Sequence, residues 1–278
     1  MIQAISHVFR FELQRTLTPA RMLIWLALCL FPALLVGTLY YQAGSRTEVR
    51  VTIDEFGNEQ ISERQRDGIP EEAMAIICYA LVPQISCMLG LLIWATPAVG
   101  SELESQTWIH LAMRSRGRTA VALGKYCVAV LWTASFAVWS SILVGILSGA
   151  ENRLELVFAL VGISVLSAMS YAALYLLLGA VFYRRASIVA VIYSLVLEGA
   201  ISFVPATINQ VAVSFRLRTL MSNWTALRAV WEEEEASLLF GTQPPWLTVM
   251  ILVAYTAILL AAACFIIRSR EYPVQVEA

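Results

Sequence analysis

Six stretches of this chain hold an apolar character for about 20 residues each: 22–41, 73–98, 126–147, 156–183, 186–204 and 246–267. A soluble core asks for apolar residues at helical or strand spacing, not for unbroken runs. A bilayer's hydrocarbon core, ~30 Å thick, asks for about 20 of them per helix. Membrane barrel strands would alternate over about 10 residues, and these runs do not alternate. Lipid offers no partner to bare backbone groups, so the runs must be helical. Charged residues make up only 14% of the chain, against about 25% in soluble domains, too few to clothe a water-facing surface. The expectation is an all-α membrane protein: one transmembrane domain over residues 1–278, built as a six-helix bundle. A cleaved secretory signal is not expected, because its apolar stretch is about 7–15 residues and the first run here is longer and starts late.

Orientation follows from the arginines and lysines. With the N-terminus inside and six crossings, 11 of the 19 basic residues fall in the inner segments and 8 in the outer ones. The inner loops are much shorter, and basic residues in short loops near helix ends set topology. The turn Tyr183-Arg184-Arg185 belongs inside, whereas the outer turn Gly149-Ala150-Glu151-Asn152-Arg153 is acid-balanced. Both termini are thus expected in the cytoplasm, in a prokaryotic inner membrane. Nothing in the charge pattern suggests nucleic acid. The four glutamates 232–235 read as a solvated outer surface.

Four segments are not simple spans. Residues 2–17 place Ile5, Val8, Phe9, Leu13 and Leu17 on one helical side and His7, Arg10, Gln14 and Arg15 on the other, an amphipathic helix at the membrane interface. Thr18-Pro19 ends it and starts the first span. Residues 42–72 form an outer loop in which Val49, Val51 and Ile53 alternate before Phe56-Gly57-Asn58, a weak hairpin signal. Residues 206–245 mix apolar residues with arginines and suit short helices dipping into the outer leaflet; the sequon Asn223-Trp224-Thr225 there carries little weight. The cytoplasmic loop 99–125 reads VGSELESQTWIHLAMRSRGRTAVALGK. Ser101 is a good N-cap, Glu102 and Glu104 suit a positive helix start, and Arg114, Arg116 and Arg118 suit its end, with Gly117 for the turn. A short helix on the cytoplasmic side follows, with Gly124-Lys125 opening the third span.

This loop resembles that of the ABC-2 type transporter permeases, E-x-E-x-G-T-L-x-x-L-L-x-R-P-x-S-R followed by G-K and the third span. Glu102, Glu104, Thr107, Leu111, Arg114, Arg118, Gly124 and Lys125 match in order and spacing, while Gln106 replaces the usual glycine and Ser115 the usual proline. The architecture is similar over nearly the whole chain: an interfacial helix, six spans, this loop after the second, and an ordered outer segment between the fifth and sixth. The resemblance implies a coupling helix that docks on a separate ATP-binding subunit, with Glu102 and Glu104 as charged contacts and Arg114 and Arg118 as anchors. It implies a homodimer or heterodimer of permeases and export driven by ATP and Mg bound in the partner. No phosphate loop exists here, since Gly124-Lys125 is followed by Tyr126. The chain is expected to hold no cofactor and to be no enzyme in its own right.

Glu198 lies within the fifth run, IVAVIYSLVLEGAISFVP. A charge at mid-bilayer costs at least ~2.5–3.5 kcal/mol, so such a residue faces the bundle interior, a cavity or a partner helix. Two readings stand: a contact with the substrate path or its gate, implied by the family's use of spans two and five, or a protonated or hydrogen-bonded glutamate that ties helices together. Gly199 beside it would allow close helix approach. Pro83 and Pro97 predict kinks in the second span. Cys29, Cys78, Cys87, Cys127 and Cys264 all lie in apolar runs, which suits buried thiols rather than a disulfide framework. The competing readings are a non-transporting scaffold or sensor, and a membrane-embedded enzyme. The second lacks a polar cluster, since His7 and His110 both sit at the cytoplasmic edge.

Overall fold

The computed structural model describes residues 2–44, 47–53, 59–65, 70–104, 117–150, 152–200, 209, 212–225, 241 and 243–270. Helix α1 (Ile2–Thr16) leads through Thr18 into α2 (Pro19–Gly44), the first span. The break falls at Thr18-Pro19, where proline has no N–H to lose at a helix start. The connection to the second span holds an antiparallel hairpin of β1 (Thr47–Ile53) and β2 (Glu59–Gln65), with Val51 opposite Ile61. The alternation of Val49, Val51 and Ile53 is the signal that foretold it.

Five helical stretches are long and apolar enough to cross a membrane: Pro19–Gln42, Ala73–Glu102, Gly117–Leu147, Arg153–Val181 and Pro245–Ser269. The chain is therefore a multi-span, all-α membrane protein. The second span is a broken rod: α3 (Glu71–Tyr79), a π segment (Ala80–Ser86), α4 (Cys87–Trp94), a 3₁₀ turn (Thr96–Ala98) and α5 (Gly100–Glu104). Pro83 lies in the π segment and Pro97 in the 3₁₀ turn, so each irregularity sits where an amide is missing. The third span is α6 (Gly117–Leu147) and the fourth is α7 (Arg153–Val181). The predicted fifth span is described as α8 (Ala186–Tyr193) continued by a second π segment (Ser194–Ala200). Its 15 residues cover ~22 Å at ~1.5 Å each, short of a ~30 Å core, so five spans rather than six stand among the described residues. The rest of that run, 201–204, lies outside them. Helix α9 (Val213–Trp224) follows, then the last span, α10 (Pro245–Ser269).

Helix α7 is the hub. Leu160, Ile163, Tyr171 and Tyr175 are fully enclosed, and small residues between them let neighbours approach. A methyl group on Gly179 would stand 2.6 Å from the Thr96 carbonyl oxygen, so the backbones of α7 and the 3₁₀ turn touch there. Hydroxyls knit the spans: Ser141 with Ser164, Ser170 with Thr256, and Ser167 donating to the Pro83 carbonyl. Gly199, by contrast, meets nothing closer than 3.5 Å, and that atom is the Ser194 carbonyl of its own segment. Among the described residues it serves no close helix approach.

Two boundaries differ from expectation. Gly117 and Arg118, the first described residues after the connection, already belong to the helix of the third span, eight residues before Lys125, rather than to a turn between helices. Ser101 caps nothing; α5 continues the second span, and the Ser101 hydroxyl donates back to the Ala98 carbonyl. The predicted coupling helix between them, with Thr107 and Arg114, lies outside the described residues.

Candidate functional site

The elements converge on two polar clusters, one at an end of the bundle and one at its middle. The first occupies the end shared by α1, α5, the start of α6 and the end of α10. Lys125, buried within α6, donates to the Ala98 carbonyl (2.9 Å), the Ser101 hydroxyl (3.2 Å) and Glu102 (2.6 Å). Those are the three donors an ammonium has. Glu102 also accepts from Arg15 of α1 (3.3 Å), and Glu12 lies 3.7 Å from Lys125 and 3.9 Å from Arg15. Two carboxylates and two cations thus interlock three elements, and pairing repays the desolvation that lone buried charges would suffer. Gly124 completes the joint: a methyl group there would stand 2.6 Å from the Val8 side chain, so α1 lies directly on α6.

Arg118, in the first turn of α6, donates to the carbonyls of Arg268 (3.1 Å) and Arg270 (3.5 Å), tying the third span to the last. Arg270 donates to the Val181 carbonyl and stacks over Tyr183. The structure therefore brings Glu102, Arg118, Gly124 and Lys125 to one end. Glu102 faces inward to Lys125 and Arg15. Glu104 closes α5. Glu12 was overlooked in the sequence, although its spacing to Arg15 on an amphipathic helix was a signal that could have found it.

The second cluster surrounds Glu198, which has no exposed surface. One carboxylate oxygen accepts from the Tyr171 hydroxyl (3.0 Å) and the Ser214 N–H (2.9 Å), and the other from the Tyr193 hydroxyl (3.2 Å) and the Val213 N–H (3.1 Å). Val213 and Ser214 open α9, so a side chain 15 residues upstream caps that helix at its positive end. The Gln84 amide donates to the Glu198 carbonyl (3.3 Å), joining the two π segments. The Tyr79 hydroxyl donates to the Ser214 carbonyl (3.0 Å). Arg218, also buried, is close enough to interact electrostatically with Glu198, Tyr79 and Tyr171. Gln84, Tyr171, Tyr193 and Arg218 are far apart in sequence, and only Arg218 carried a charge that could have drawn attention.

Tyr171 lies ten residues from the end of α7, so this cluster sits ~15 Å inside the helix's Val181 end. The other end of α9 reaches the opposite half: a methyl group on Gly162 would stand 2.9 Å from the Trp224 ring. Helix α9 is buried along nearly its whole length. It packs into the bundle, and most of the rest of 206–245 lies outside the described residues. Compared with known proteins, the sequence matches no protein-family profile, and no curated protein matches it either.

Proposed function

We propose that this chain is the transmembrane permease subunit of an ATP-binding cassette exporter of the ABC-2 type. A separate ATP-binding subunit, which binds ATP and Mg, docks on the 99–125 connection from the cytoplasm, and two permease copies, identical or not, form the path. The observation that carries this reading is the Glu102–Lys125 pair. It fastens the two ends of that connection to each other, and Arg15 and Glu12 fasten both to α1. A push on 105–116 would then reach the first three spans together. In this reading Glu104, Thr107 and Arg114 meet the ATPase, while Glu102, Arg118, Gly124 and Lys125 hold the lever's base. Glu198 serves the path indirectly, as the catch on α9, whose displacement opens the outer half of the bundle. Alternation between two packings of that kind is how a nucleotide in one subunit would bias a path in another.

The test is retention of an ATPase. The wild-type chain, affinity-purified from native membranes, should carry an ATP-hydrolysing subunit with it. Glu104→Lys should lose that subunit while eluting as a single sharp peak, because it spares the Glu102–Lys125 pair. A wild-type preparation that holds no ATPase under mild detergent defeats the assignment.

A further inference from the structure

Where α1 turns into α2, the bundle contains a cavity of about 140 Å³, lined by Glu12, Arg15, Arg21, Trp94 and Lys125 among others. One water needs ~10–15 Å³ on this measure, so the space admits a group roughly ten times larger. Its charges do not balance. Glu12, Glu102, Arg15 and Lys125 neutralise one another in the ion-pair cluster. Arg21 is left over, with no ion pair among the described residues. It stands in the first turn of α2, the positive end of a 26-residue helix, where a cation is unfavourable and an anion is favoured.

A second, independent observation points the same way. The Trp94 indole N–H is buried and has no acceptor among the described residues, and Trp94 lines this cavity. Indole nitrogen only donates, so the missing partner is an acceptor. A buried donor left without an acceptor is unfavourable, so an acceptor that enters the cavity is favoured there. Its stacked neighbour Trp132 (ring centroids 5.9 Å apart) has its own N–H satisfied by Thr16 at 2.8 Å. Thr16 and Ser101 add hydroxyls to the wall, and Ile93, Pro97 and Val128 form an apolar side. Outside the cavity, Leu17, Met22 and Leu23 are exposed on the adjoining turn and first span.

We infer that this cavity binds the phosphodiester headgroup of an anionic membrane lipid. The single negative charge answers Arg21 and the end of α2, its oxygens accept from Arg21 and Trp94, and its acyl chains lie along Leu17, Met22 and Leu23. Bound there, the lipid would brace the joint between α1 and the first span.

The full-length protein in a zwitterionic detergent would be titrated with short-chain phosphatidylglycerol, short-chain phosphatidylcholine or inorganic phosphate, and bound species counted by native mass spectrometry. Phosphatidylglycerol is expected to bind at one site and to raise the midpoint of thermal unfolding, with phosphatidylcholine doing neither. Arg21→Gln should weaken that binding about tenfold. Trp94→Phe, which keeps the stacked ring and removes the donor, should weaken it about fivefold. Equal binding of the two lipids, or unchanged phosphatidylglycerol affinity in both variants, overturns the site. If inorganic phosphate binds and the lipid does not, a lipid is the wrong occupant.

Discussion

Lys125 and Glu198 are both buried ionisable side chains, yet they are held by different means. Lys125 spends its three donors on one carboxylate and two neutral oxygens, with a second carboxylate at 3.7 Å. Removing Lys125 takes from the buried Glu102 its closest cation and leaves it the longer contact with Arg15 (3.3 Å), so the loss stays below the about 3–5 kcal/mol of a fully unpaired buried charge, whereas replacing both partners by apolar residues is often neutral. Lys125→Met should therefore lower the thermal midpoint, and Lys125→Met with Glu102→Leu should recover most of it, since Arg15 and Glu12 remain together. If the double variant is less stable than the single one, the pair is not the unit described. Glu198 is held by four donors and no ion pair is needed for its geometry. In Glu198→Gln one acceptor oxygen becomes an NH₂ that must face donors, so two bonds are lost and about 1–3 kcal/mol with them. The same variant should speed hydrogen exchange at the Val213 and Ser214 amides, the groups it caps; exchange as slow as in wild type there would refute the cap.

At the level of elements, small residues decide where helices touch. Gly179 meets backbone, which cannot move aside, so Gly179→Ala should cost about 1–3 kcal/mol by overpacking. Gly199→Ala is the matched control and should be close to neutral, because only ordinary contact lies nearby. Equal losses in thermal midpoint for the two would contradict the packing described. The contrast also marks what sequence can reveal about elements. Pro83 and Pro97 announced the π segment and the 3₁₀ turn, because a missing amide acts locally. Thr18-Pro19 announced the α1–α2 break for the same reason. Which glycine faces a backbone depends on a partner helix 80 residues away, and nothing local distinguishes Gly179 from Gly199. Pro32, inside an unbroken α2, shows that even a local signal yields when the helix around it is otherwise continuous. The burial of helix α9 is not legible locally either: its mixture of arginines and apolar residues suits an interfacial helix, while Glu198 and its tyrosines, distant in sequence, supply an interior in which Arg218 can reside.

For the whole molecule, length and hydropathy locate five of the six expected spans among the described residues, but sidedness needs charges to be compared across the chain. The structure gathers Arg15, Arg118, Lys125 and Arg270 at one end of the bundle, although they come from α1, α6 and the end of α10. The other end carries the hairpin connection and the turn after α6, where Gly149 adopts φ 68° against the ring of Tyr40. If basic residues near helix ends are retained inside, the first end is cytoplasmic. Thr18 and Asn152 are exposed at opposite ends, and each tolerates a small side chain. The native thiols add little background to a water-borne reagent: Cys29, Cys78 and Cys87 are buried, and Cys127 and Cys264 lie within spans. In intact cells, a membrane-impermeant maleimide should label Asn152→Cys at once and Thr18→Cys only after permeabilisation. The inverse pattern would put α1 and the Glu102–Lys125 joint on the outer face, out of reach of any cytoplasmic ATPase, and transport driven through that joint would have to be abandoned.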